Sequence, residues 1–119
     1  MKFTVQAEPL PQPRPRFGRG KVYEPARVQK YKLAVKLAAE NAMQGKLPTL
    51  QAVSCRLKFW RKFAPTSKRF GDCDNLAKAV LDACNGVLFV DDAQVVSLQV
   101  DKRQSTTTAG VEVEINELF

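Results

Sequence analysis

Gly71-Asp72-Cys73-Asp74-Asn75-Leu76-Ala77-Lys78-Ala79-Val80-Leu81-Asp82-Ala83-Cys84-Asn85-Gly86-Val87-Leu88-Phe89-Val90-Asp91-Asp92-Ala93-Gln94-Val95 is the stretch on which the reading of this chain turns. Leu76, Ala79, Val80 and Ala83 recur at helical spacing, and Asn85-Gly86 supplies residues that tolerate a left-handed stop. A helix is therefore expected from about Asp74 to the Asn85-Gly86 pair, followed by a short apolar run, Val87 to Val90. The same stretch gathers Asp72, Asp74, Asp82, Asp91 and Asp92 around one lysine, Lys78. Carboxylates so concentrated repel one another and repel phosphate, so a divalent cation is the natural agent that makes them useful together.

The rest of the chain sets this acidic stretch in a basic frame. Residues 1–70 hold sixteen Lys and Arg against three acids, whereas residues 71–119 hold three against nine, for a net charge of +7. A basic surface that holds a polyanion and an acidic centre that acts on it is the expectation. No histidine is present, and Cys55, Cys73 and Cys84 have no CxxC spacing, which argues against structural zinc, disulfides and histidine-based acid–base catalysis. At 119 residues one domain, 1–119, is expected. No segment is apolar enough to span a bilayer, and Met1–Gln6 alternates where a signal peptide would run apolar, so no membrane association and a cytoplasmic location are expected.

Working outward, Phe3, Val5 and Ala7 alternate with polar residues as a first strand. Pro9, Pro11, Pro13 and Pro15 then predict an extended arm without regular structure, carrying Arg14, Arg16, Arg19 and Lys21 among aromatics suited to nucleic-acid contact. Val28, Tyr31, Val35, Ala38 and Ala42 predict a helix from Pro25 to about Gln44, and Val53, Cys55, Leu57 and Phe59 predict the clearest strand. Lys68 and Arg69 lie in the loop that leads into the carboxylates, where a phosphodiester would have to pass. Val96, Leu98 and Val100 form a further strand, Asp101 to Gly110 a polar connection, and Val111, Val113 and Ile115 a last strand. The order β-α-β-α-β-β predicts an α+β fold, a mixed sheet of about four strands with both helices on one face.

Asp72 and Asp74 share a side when extended, and Asp74, Lys78 and Asp82 form a stripe on the helix. Asp91 and Asp92, entering from the next loop, are expected to close on the same place. Two or three converging carboxylates suffice for magnesium when phosphate supplies further oxygens, and Lys78 would favour the developing charge. Helix capping with an ion pair accounts for Asp74 and Asp82 without chemistry, but leaves Asp72 and the Asp91-Asp92 pair unexplained. A calcium-binding EF-hand loop is excluded by the absence of its glycine and distal glutamate.

The pattern Asp72-x-Asp74-Asn75-x-x-Lys78-x-x-x-Asp82-x-x-Asn85-Gly86, followed by Asp91-Asp92-x-Gln94-Val95, resembles the signature of the RusA-type Holliday junction resolvases. These are small homodimeric endonucleases often carried by phages and prophages. The arm, with Arg14-Pro15-Arg16-Phe17 and Tyr23-Glu24-Pro25, is similar to members of that family. The resemblance implies that Asp72, Asp74 and Asp92 are catalytic carboxylates binding Mg²⁺, with Mn²⁺ as a substitute, and that Lys78 is required for the chemistry. Asp91 is implied as an additional metal neighbour, and Arg14, Arg16, Arg19, Lys21, Lys68 and Arg69 as DNA contacts. It further implies four-way junction DNA as substrate, a homodimer as the working unit and no small-molecule cofactor. A non-catalytic basic nucleic-acid-binding protein and a metal-dependent nuclease for other branched DNA are the competing readings.

Overall fold

The protein's structure is a computed structural model that describes residues 1–13, 16–18 and 21–118, with 16–18 and 21–23 described by their backbone. Arg14 and Arg19 of the basic arm lie outside the described residues, as do the side chains of Arg16 and Lys21. The elements are β1 (Lys2–Val5), β2 (Arg16–Gly18), β3 (Lys21–Tyr23), α1 (Ala26–Met43), β4 (Val53–Arg61), α2 (Cys73–Cys84), β5 (Val95–Gln104) and β6 (Gly110–Glu117). A four-stranded mixed sheet runs in the order β1-β6-β4-β5, with β4 and β5 parallel and the other pairs antiparallel. With its two helices this is the α+β arrangement expected from the order of the chain.

Alternation builds the sheet. On β4, Val53, Cys55, Leu57 and Phe59 are buried, and their partners on β6, Ile115, Val113 and Val111, are buried beside them. The helices cover this face: α1 contributes Val28, Tyr31, Val35, Ala39 and Met43, and α2 contributes Leu76, Ala77, Ala79, Val80, Ala83 and Cys84. Ala39 and Met43 replace Ala38 and Ala42 at the centre of the α1 stripe, because the 3.6-residue period drifts by one position over five turns. The helix stops at Gln44, whose φ of 49° is left-handed, followed by Gly45 at 82°.

Two expectations change in detail. The arm is not irregular throughout, since β2 and β3 pair as an antiparallel hairpin; the prolines end at Pro15, and nothing beyond them forbids strands. The strand β5 runs on to Gln104 instead of yielding at Asp101, because Lys102 and Arg103 stay in register with Phe59 and Trp60 on β4. The apolar run after α2 joins the core through Val87, Leu88 and Phe89, with Gly86, at φ 78°, supplying the turn.

Gly110 opens β6 where two neighbours converge. A Cβ there would sit 2.6 Å from the Val5 carbonyl oxygen and 2.7 Å from Cζ2 of Trp60. Gly110→Ala is therefore expected to cost about 1–3 kcal/mol through overpacking, read as a lowered denaturant midpoint with unchanged slope.

Burial also sets the cysteines apart. It pushes the Cys55 thiol up to about 11 and the Cys84 thiol up to about 12, with the Cys55 charge adding to the latter, from an ordinary value of 9.0. Cys73 is exposed. One thiol, Cys73, is expected to alkylate in the native chain, against all three after denaturation. Because the folded values lie above the unfolded one, the stability these thiols contribute is complete below about pH 9 and is lost as pH rises towards 11–12. The denaturant midpoint measured across that range should fall accordingly.

Candidate metal and nucleic-acid site

The loop between β4 and α2 carries the first half of the candidate site, and one buried cation shapes it. Arg61, 7% exposed, occupies the inward position at the end of β4. Its Nε donates to Glu8 Oε1 at 2.6 Å, while Nη1 donates to the carbonyls of Arg69 (3.0 Å) and Phe70 (2.7 Å). The guanidinium also lies 4.9 Å and 5.9 Å from the ring centroids of Phe63 and Phe70. Lys102 continues the series from β5: its Nζ donates to the Gly71 carbonyl at 2.9 Å and stands 5.3 Å from the Phe70 ring. Three consecutive carbonyls, 69 to 71, are thus held by two cations immediately before Asp72. Gly71 is buried with φ 103°, and the Leu76 side chain would lie 3.3 Å from a Cβ there, so glycine suits both backbone and space.

Asp72 is the N-cap residue of α2, but its carboxylate does not make the capping bond. Among the described residues it has no hydrogen-bond or ion-pair partner, and it points its charge to solvent at the positive end of the helix dipole. Asp74 Oδ1 accepts from the Asn75 N–H at 2.9 Å, and its second oxygen has no partner among the described residues. The arm leaves the body here too, since the Gln12 N–H donates to the Asn75 carbonyl at 2.8 Å. Lys68 and Arg69 are exposed on the same loop. The top of α2 therefore combines two exposed carboxylates with the root of the basic arm and two exposed cations.

Lys78 lies one turn after Asp74 and is mostly exposed; its Nζ is 3.6 Å from Asp82 Oδ1. Asp82 also meets Lys32 at 3.5 Å, and Lys32 meets Glu24 at 3.1 Å. Asp82 is thereby committed to tying α2 to α1.

Asp91 and Asp92 lie elsewhere. Asp91 Oδ2 accepts from the Ala93 N–H at 3.3 Å, capping a 3-10 turn over Asp92–Gln94. The Gln94 amide fixes this corner: its oxygen accepts from the N–H groups of Val90 and Asp91, and its nitrogen donates to the carbonyls of Thr49 and Gln51. Asp92 has no such partner among the described residues. This corner precedes β5, whereas Asp72 adjoins Gly71, which is bonded to Lys102 near the other end of β5. Seven strand steps from Val95 to Lys102 span about 23 Å, and the twelve residues of α2 about 18 Å. The expected convergence of Asp91 and Asp92 with Asp72 and Asp74 does not occur within one chain. The reason is topological: parallel strands β4 and β5 require the connecting helix to run back along the sheet, so the loops before and after that helix lie at opposite ends of the strands.

The donor chemistry, unshared carboxylate oxygens with room for water, suits a hard cation such as Mg²⁺. Among the described residues no group of three His, Cys, Asp or Glu could hold a metal. Gln94 stands in the pattern quoted above, where an orienting or capping role is the expectation, and here it caps this corner; the clamp formed by Arg61 and Lys102 is not written in that pattern, although the alternation of β4, carried one step past Phe59, places Arg61 on the inward face.

No helix among the described residues is long and apolar enough to cross a membrane. The chain is 36% identical to "Uncharacterized protein YqaN" of Bacillus subtilis (strain 168) over 140 aligned positions, covering 99% of this chain and 96% of that protein. The family description "Endodeoxyribonuclease RusA" matches residues 6–116, which takes in both helices, most of the four-stranded sheet and every carboxylate discussed above. The chain belongs to the RusA family of endodeoxyribonucleases, which act on junction DNA.

Proposed function

We propose that this protein is a Mg²⁺-dependent, structure-selective endodeoxyribonuclease that resolves Holliday junctions by paired symmetric nicks, acting as a homodimer in the cytoplasm. The observation that carries this reading is the placement of two carboxylate pairs at opposite ends of an uncovered edge strand. Among the described residues β5 has β4 on one side only. Its Val96 and Leu98 are 62% and 44% exposed, an apolar edge of the kind that invites pairing. Antiparallel pairing of β5 with β5 of a second copy sets the start of one strand against the end of the other. Asp72 and Asp74 of each copy then face Asp92 of its neighbour, giving two equivalent sites related by a two-fold axis, as a nearly two-fold junction requires.

Within such a site Asp72, Asp74 and Asp92 would hold the cation, and Asp91, spent on its cap, would orient Asp92. Magnesium, when bound, supplies polarisation of the phosphoryl oxygen and a lowered pKa for the attacking water. Lys78 adds positive charge beside the scissile phosphate, and Lys68, Arg69 and the arm residues Arg14, Arg16, Arg19 and Lys21 hold the flanking backbone. The Arg61 and Lys102 clamp keeps Asp72 in place before any substrate arrives, which removes that ordering cost from the reaction.

The test is cleavage of a mobile four-way junction labelled on each strand in turn, with and without Mg²⁺, by wild-type and Asp72→Asn protein. Paired nicks at symmetric positions, lost in the variant and without metal, are expected. Binding with no nicks under any divalent ion would leave a nucleic-acid-binding protein, and equal cutting of linear duplex would leave a nuclease of other specificity.

A further inference from the structure

The face of the sheet opposite the helices carries chemistry that the carboxylate site does not use. Trp60, the sole tryptophan of the chain, points to this face and is only partly buried. Its indole lies over Gly110, where the absence of a side chain leaves room for the ring. It lines a hollow of about 610 Å³, within the size range of small-ligand sites. Arg103 is its register partner on β5, and Lys58 precedes it by two residues on the same face of β4. The hydroxyls of Ser105 and Thr108 complete the rim.

Electrostatics select the occupant. The two carboxylates that line the hollow are engaged, Asp101 with Arg56 at 3.6 Å and Glu112 with Lys2 at 3.7 Å. Lys58 stands in register between Asp101 and Glu112 yet forms an ion pair with neither, and Arg103 has no ion-pair partner among the described residues, so the cations that line the hollow outnumber its carboxylates and leave net positive charge beside an aromatic ring. The charge continues at its upper end. Gln104 donates to the Lys62 carbonyl at 2.9 Å and the Ser105 N–H to the Arg61 carbonyl at 2.7 Å, which brings the start of the basic 62–69 loop against the rim. An aromatic platform, flanking cations and a few hydroxyl groups in a shallow cleft match an unpaired nucleotide, with the base on the ring and the phosphates on the cations.

We propose that Trp60, Arg103 and Lys58 form a second nucleic-acid subsite, which stacks an unpaired base of single-stranded DNA on the sheet face remote from α2. The choice of DNA as occupant rests on the endonuclease reading; the geometry of the subsite does not. It would hold a strand opened at a branch point while the carboxylates act on another.

The lone tryptophan makes the test direct. The full-length protein is titrated with a short oligothymidylate in chelator, following Trp60 emission, with anisotropy of a labelled oligonucleotide as an independent measure of binding. Saturable quenching is expected. Arg103→Ala should weaken the binding and lower its log–log salt slope by about 0.7, the value for one phosphate contact on a single strand. Trp60→Leu should weaken it by about tenfold or more. Arg103 is exposed, so its variant keeps the test valid if Trp60→Leu fails to fold. Emission unmoved while anisotropy shows saturated binding would overturn the subsite. Quenching indifferent to Arg103→Ala, or an emission shift that tracks protein concentration alone and marks a protein partner, would overturn it as well. No turnover is involved, so a negative result leaves the cleavage reading standing, and a chain that never cuts can still pass.

Discussion

Mixing Asp74→Asn protein with Asp92→Asn protein is expected to restore nicking that neither variant shows alone. Each variant by itself should lose cleavage by about a hundredfold or more, while binding the junction as tightly as wild type or more so, because a repelling charge is gone. If two copies share each site, a mixed dimer contains one site with both substitutions and one with neither. Random exchange makes half the dimers mixed, so about a quarter of the wild-type number of sites should return. The products should be single, unpaired nicks, since each mixed dimer has one working centre. A site built within one chain predicts no recovery at any ratio, and that result would remove the two-chain arrangement while leaving the endonuclease family intact. Strand-resolved gels on one labelled junction read both quantities.

Arg61→Met is expected to be the most destabilising of the single changes considered. It leaves the half-exposed Glu8 carboxylate without its partner and strips the carbonyls of Arg69 and Phe70 of their donor, that of Phe70 in a place that little water reaches. Loss of one partner of a buried, multiply bonded charge costs about 3 kcal/mol, a large share of the stability of a chain this size. Arg61→Lys keeps the charge but lacks the planar fork that reaches Glu8 and two carbonyls together, so it should recover only part of the loss. Denaturant unfolding measures the first effect. The second is read from the Lys variant, folded at low temperature: cleavage should fall more than junction binding, because the displaced element is the turn before Asp72. Equal midpoints for wild type and Arg61→Met would show that the clamp carries no load.

Legibility in the sequence depends on range along the chain. The alternation at Val53 to Phe59 and the helical spacing at Leu76 to Ala83 are local, and each decides its element whatever surrounds it. The signature around Asp72, Asp74 and Lys78 is local as well, and its residues stand where a helix N-terminus puts them. The features that escape a reading of the sequence are non-local. That Asp91 and Asp92 sit a helix length from Asp74 comes from β4 and β5 being parallel, and strand direction is not written in either strand's pattern. Arg61 escapes for another reason. A charged residue after an apolar strand reads as the start of a loop, and only Glu8, some fifty positions earlier, and two later carbonyls make the inward position tenable. The hairpin at Arg16–Gly18 and Lys21–Tyr23 is masked by the prolines before it, whose effect on the backbone stops at Pro15.

The helical crossover that separates the two carboxylate pairs has a consequence for the cell. If two copies complete each centre, a freshly made chain, alone and at low abundance, would carry two half-centres and no whole one, so it could meet chromosomal DNA without cutting it. Competence would arise only by encounter between copies, and initial rates in dilute solution should rise with the square of chain concentration before becoming linear. The separation would act as a threshold, keeping an enzyme that breaks phosphodiester bonds silent until enough copies exist to make its cuts in pairs.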